Sequence, residues 1–138
     1  MKKKLPRVVV HTNICVSALL ASKTCSAVID KFIEERFTLV FSELTLKEIE
    51  YVFCDEAIGF SLLDAERLKT IITSNIEIIP PTTPIHICRD PKDNMFIETA
   101  IAAKADCIVS GDKDIKVLKS VDGIPILSPG AFIKFLEA

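Results

Sequence analysis

Apolar residues follow two rhythms along this chain. Short runs rich in β-branched side chains occur at Val8-Val9-Val10, Phe37–Phe41, Ile76–Ile79, Cys107-Ile108-Val109 and Ile124–Leu127. They are too brief for helices and predict buried strands. Between them the apolar spacing lengthens to three and four residues, the signature of amphipathic helices. Helices are expected over Ile14–Ala21, capped by Thr12 or Asn13, and over Ser26–Glu35, where Val28, Ile29, Phe32 and Ile33 share a face. Ser42 caps a third helix that runs to Phe53, and Leu62–Ser74 forms a fourth. Pro80-Pro81 stops the third strand, and Thr82–Arg89 is expected to be a connector. Helix resumes over Asp93–Lys104, then Lys113–Ser120, and Pro129 opens a last helix to Leu136.

Strands that alternate with helices pair in parallel, because each crossover helix must pack back onto the sheet. The expected fold is therefore α/β, a three-layer α/β/α domain with a central, mainly parallel sheet and right-handed crossovers. No repeat, low-complexity stretch or linker interrupts residues 1–138, so one domain is expected. In sheets of this kind the working site lies beyond the carboxyl ends of the strands. That rule selects which polar residues to weigh.

Charge narrows the partners. The formal net charge is −2, without the basic excess of proteins that hold nucleic acid by charge alone. Apart from the run Lys2-Lys3-Lys4, any contact with nucleic acid must be local or rely on metal ions. The five cysteines form no CxxC pair and are odd in number, which argues against a disulfide framework or a structural zinc site. Cys15 and Cys107 lie in apolar runs and read as buried reduced thiols. Leu5-Pro6-Arg7 breaks any leader-like segment, and no apolar run approaches the roughly 20 residues of a membrane helix. A cytoplasmic protein without a membrane partner is expected.

Four residues stand where chemistry could occur. His11 follows the first strand directly, and its plainer role is a packed or capping histidine. Glu48 falls within the arc of Leu44, Leu46, Ile49, Tyr51, Val52 and Phe53, opposite Glu43, Lys47 and Glu50. A carboxylate aimed at a core needs a partner or a metal, unless it reaches round to solvent. Asp93, in Arg89-Asp90-Pro91-Lys92-Asp93-Asn94, and Asp112, in Ser110-Gly111-Asp112-Lys113-Asp114, begin helices and could simply cap them. Asp90, before Pro91, reads as a turn residue. The chain lacks the ligand spacing of a calcium loop, a GxxxxGK[ST] phosphate loop and a GxSxG nucleophile elbow.

Taken in order, these segments resemble the PIN-domain ribonuclease family, in its bacterial toxin-like branch. The resemblance spans Arg7 to Leu136. It is carried by Val8-Val9-Val10-His11-Thr12-Asn13 with Val16-Ser17-Ala18-Leu19, by Phe41-Ser42-Glu43-Leu44 through Glu48, and by Arg89–Asn94 with the Ala-rich helix after it. Ile108–Asp114 and Ile126-Leu127-Ser128-Pro129 with Phe132 complete it. The resemblance implies an endoribonuclease that binds Mg²⁺ or Mn²⁺ through an acidic cluster, the toxin of a toxin–antitoxin pair. Its expected partners are RNA and an antitoxin protein, and it is expected to be a homodimer. Glu48, Asp93 and Asp112 would be catalytic and metal-binding, with His11 as a fourth ligand. Asn13 and Ser110 would support them by hydrogen bonds, and Asp114 would be peripheral. Lys23, Lys113 and Lys116 are candidate RNA contacts or solvated surface charges.

Position 11 departs from the pattern, because the family has Asp where this chain has His. Three carboxylates and a neutral imidazole leave the set one negative charge short. Mg²⁺ prefers oxygen ligands, whereas Mn²⁺, Zn²⁺ and Ni²⁺ accept imidazole. Weakened metal binding and weakened activity are expected. A catalytically degenerate domain that binds RNA or protein is the main alternative. A phosphoryl-transfer or phospho-receiver module also places acids at strand ends, but in an order that fits poorly here.

Overall fold

The computed structural model describes residues 4–80 and 83–138. Lys2, Lys3, Pro81 and Thr82, which carry part of the expected basic run, strand stop and connector, lie outside the described residues. Six strands form one sheet: β1 (Arg7–Val10), β2 (Thr38–Ser42), β3 (Ile76–Ile79), β4 (Cys107–Val109), β5 (Ser120–Val121) and β6 (Ile124–Leu127). Their order across the sheet is β3-β2-β1-β4-β6-β5. Every neighbouring pair is parallel except β5 with β6.

Alternation along each strand divides the interior in two. Val8, Val10, Leu39, Phe41, Cys107 and Val109 face one core. There they meet α1 (Thr12–Leu19), α2 (Lys23–Ile33), α3 (Glu43–Phe53), α4 (Leu62–Thr73) and α7 (Pro129–Glu137). Val9, Val40, Ile108 and Ile126 face the other core, against α5 (Asn94–Ala103) and the short α6 (Lys113–Lys116). This is the expected three-layer α/β/α arrangement. Phe132 of α7 is fully buried and meets Phe37 edge to face at 5.0 Å. Among the described residues no single helix is long and apolar enough to cross a membrane.

Several element ends differ from the sequence expectation for identifiable reasons. α1 starts at Thr12, so His11 takes the cap position, and its side chain makes no capping hydrogen bond. Neither Thr12 nor Asn13 is the cap. α2 starts at Lys23 because Ser22 Oγ accepts from the Cys25 N–H at 3.2 Å. The helix expected over Lys113–Ser120 ends at Lys116. Lys119 turns left-handed there (φ 61°), and Asp122 and Gly123, both at positive φ, close a tight hairpin between β5 and β6. On α3 the buried stripe is Thr45, Ile49 and Phe53. Leu44 and Tyr51, expected on the core arc, are 61 % and 75 % exposed. The Ser42–Thr45 capping box turns the helix so that Thr45 faces inward instead.

Candidate functional site

The register of β1 and β4 fixes the centre of the site. Val10 sits beside Val109, so the first residues past both strands emerge together. His11 and Ser110 are those residues, and the His11 N–H still donates to the Val109 carbonyl at 2.9 Å. Both side chains are buried, which obliges their polar atoms to find partners.

His11 finds them on both ring nitrogens. Nδ1 lies 2.8 Å from Asn13 Oδ1 and 3.2 Å from Ser110 Oγ. Nε2 lies 2.9 Å from Asp93 Oδ1. With Asn13 Oδ1 accepting, Nδ1 carries a proton. The ring also meets Phe96 edge to face at 4.8 Å. The imidazole is thus held on four sides.

Asp93 reaches it from the opposite layer. Asp90 caps a short 3₁₀ turn, Pro91–Asp93, its carboxylate accepting from the Lys92 N–H at 3.0 Å. That turn delivers Asp93 to the start of α5, where it makes no capping hydrogen bond. Capping is therefore realised at Asp90, and Asp93 is released to face His11. Its side chain is only 10 % exposed. Burial pushes its carboxyl above the usual carboxylate range. The charge and hydrogen bond of His11 oppose that rise, and the nearby Asp90 and Asp112 carboxylates add to it.

Asp112 approaches through Ser110. Its N–H donates to Ser110 Oγ at 3.0 Å, and its Oδ1 accepts from the Asp114 N–H at 2.8 Å. So Asp112 does cap α6, as the plainer expectation had it, while also lending its charge to the site. Gly111 between them runs close to Asn13, whose Nδ2 would lie 3.6 Å from an added Cβ. Asp114 points outward to Arg89, 3.5 Å away at the surface.

Glu48 stands apart. It is half-buried, flanking the inward stripe of α3. Among the described residues no hydrogen bond joins it to His11, Asp93 or Asp112. Nor do three His, Cys, Asp or Glu side chains among the described residues form a group that could hold a metal ion. Hydrogen bonds thus link His11, Asn13, Asp93, Ser110 and Asp112, and Glu48 takes no part in them.

Other members of the site were not singled out from the sequence. Phe96 braces the imidazole, and its signal was its place three residues after Asp93. Asn94 is buried and accepts from the Ile87 and Cys88 N–H groups at 3.1 and 2.9 Å, folding the connector against α5. Cys88 comes with that connector. Burial, helped by Asp93, Asp90, Asp112 and Glu98, pushes its thiol up to about 11. Thr99 donates to the Met95 carbonyl at 2.7 Å and lies 2.9 Å from Ser42 Oγ, tying α5 to the cap of α3.

The PIN domain family model matches residues 7–114. An uncharacterized protein of Methanocaldococcus jannaschii is 34 % identical over 123 residues, covering 86 % of this chain and 79 % of that one. PAE2754 from Pyrobaculum aerophilum has a similar structure, with a TM-score of 0.63 at 18 % identity, over 96 % of this chain and 90 % of that one. VapBC2 from Rickettsia felis, crystallised bound to a DNA fragment from their promoter, aligns at a TM-score of 0.59 and 19 % identity. That alignment covers 88 % of this chain and 98 % of the matched one.

Proposed function

The chain belongs to the PIN domain family, and from that premise we propose that it is an endoribonuclease, the toxin of a toxin–antitoxin pair, whose activity His11 holds low. Family membership supports the nuclease reading, since PIN domains are generally nucleases. The likeness to VapBC2 supports a toxin role and an antitoxin partner, and cytoplasmic action is part of the proposal. A homodimer belongs to the same reading. The observation that carries it is the meeting of Asp93, Asp112 and His11 beyond the ends of β1 and β4.

PIN domains generally use a divalent metal, Mg²⁺ or Mn²⁺ in this reading. The donors as they stand do not fit one. Asp93 Oδ1 is engaged by His11 Nε2, and no group of three donors is assembled among the described residues. No catalytic step is therefore routed through an ion here. What the chain's own residues do is clear in outline. Asp93 and Asp112 set a negative potential beyond the strand ends, opposed by the imidazole beside Asp93. Ser110 and Asn13 hold that imidazole from behind. Lys113 and Lys116 lie on the helix that Asp112 caps, which supports them as candidate contacts to an RNA backbone.

The closed His11–Asp93 pair favours a second reading, a catalytically silent PIN domain that binds RNA or protein. One assay separates them. Single-stranded RNA is incubated with the protein and with Asp112→Asn, in Mg²⁺ and in Mn²⁺. The ribonuclease reading expects slow cleavage by the natural chain that the variant loses. Retention of RNA without cleavage in either metal supports the silent reading. Equal cleavage by both proteins refutes the assignment of the site.

A further inference from the structure

We propose that Arg89 takes a backbone phosphate of the RNA at the rim of the site, giving up Asp114 to do so. RNA as the ligand rests on the ribonuclease reading, but the contact does not require that the RNA be cut. The site poses a problem of charge. The Asp90 and Asp112 carboxylates already press on Asp93, and a phosphodiester brought among them is repelled. A cation fixed at the rim lessens that repulsion. Arg89 stands there. The two acidic segments of the site, Asp90–Asp93 before α5 and Asp112–Asp114 at α6, are linked in two places. His11 links them within, through Asp93 and, by way of Ser110, Asp112. Arg89 links them at the surface, its Nη1 3.5 Å from Asp114 Oδ1. The Asp114 N–H donates to Asp112 Oδ1 at 2.8 Å, so the guanidinium stands one residue away from the Asp112 carboxylate.

The backbone on either side of Arg89 is fixed. Asn94 Oδ1 accepts from the Ile87 and Cys88 N–H groups, and Asp90 caps the turn that follows. Arg89 is therefore delivered to the rim before any ligand arrives, and little backbone order is lost on binding. Its side chain is 83 % exposed. Among the described residues Asp114 Oδ1 is its one polar partner, at the far edge of hydrogen bonding. An exposed pair of this kind holds weakly. A phosphate offers the planar guanidinium two oxygens in matched geometry, which one carboxylate oxygen at 3.5 Å does not. Lys113 and Lys116 add attraction as point charges but lack that fork.

Binding of a labelled single-stranded RNA is measured by fluorescence anisotropy in EDTA, over a series of salt concentrations. Arg89→Ala is expected to weaken binding by about 10-fold at low salt. It should also flatten the slope of log affinity against log salt by about 1, the loss of one phosphate contact. Arg89→Lys should restore the slope but only part of the affinity. Asp114→Asn should tighten binding by the natural chain and lose that gain when residue 89 is already Ala, because no guanidinium is then released. Arg36→Ala removes an equal charge before the start of β2, at the opposite end of the sheet, and should stay within about twofold. Natural affinity and slope in Arg89→Ala would overturn the proposal. So would a loss that Arg36→Ala reproduces, or a natural chain that binds no RNA. Cleavage is read separately, with Mg²⁺ or Mn²⁺ in place of EDTA. RNA held through Arg89 but left intact would sink the ribonuclease reading alone, and RNA cut equally well while Arg89→Ala binds unchanged would sink the Arg89 contact alone.

Discussion

The two ends of β1 each carry a polar network, and they are built on opposite terms. At its start, Arg7 grips Glu77 through two parallel bonds, Nε to Oε2 at 3.0 Å and Nη2 to Oε1 at 2.5 Å. It also donates to the Ala103 carbonyl, while its N–H donates to Asp106 Oδ2 at 2.7 Å. One guanidinium meets one carboxylate in matched geometry, partly open to water. Just beyond its end, His11 meets Asp93 in a buried pair crowded by Asp90 and Asp112. The first network ties β1 to β3 and α5 through a guanidinium and a carboxylate paired one to one. The second gathers more negative charge than its own residues balance. An excess of that kind weakens a fold and marks a place where charged ligands act.

Four substitutions sharpen this contrast. The largest effect is expected from Asp93→Ala, which should lower RNA cleavage by about 100-fold, the upper end for groups that act at such sites. Glu77→Ala should leave cleavage within about twofold, since its contacts lie at the opposite end. Gel assays on labelled RNA would compare them. Next, Ser110→Ala removes the acceptor for the Asp112 N–H and a neighbour of His11 Nδ1, and should cost about 1–3 kcal/mol in urea unfolding. Arg7→Ala should cost about 1 kcal/mol by the same measurement, because its ion pair is partly solvated.

The smallest effect is a pH slope. In the fold the Asp93 carboxyl keeps its proton above the range where an unfolded carboxyl has released it. Its contribution to stability is therefore full below the unfolded value and is lost as pH rises through the folded one. Asp93→Asn removes that loss. Unfolding at a series of pH values between 4 and 7 should show the natural chain losing more stability with rising pH than Asp93→Asn.

Much of this was legible in the sequence because it depends on local rules. The β-branched runs became strands, and the placement of His11, Ser110 and Asp112 followed from strand ends. The missed hairpin was also local. Asp122-Gly123 is a strong turn pair, but a strand of only Ser120-Val121 is too short to show a period. What could not be read was rotation and reach. Whether α3 turned Leu44 or Thr45 inward depended on a capping box. The bond from His11 to Asp93 joins residues 82 positions apart, and no spacing rule encodes it. Asn94 likewise reads as a helix-start residue, while its work is to hold the connector through Ile87 and Cys88.

The central claim is that an RNA-cleaving centre lies at this end of the sheet and that His11 restrains it. The most direct measurement is the cleavage rate of single-stranded RNA in Mg²⁺ by the natural chain and by His11→Asp, side by side. The account predicts a faster variant, by about 10-fold or more. A natural chain that cuts as fast as His11→Asp would contradict it.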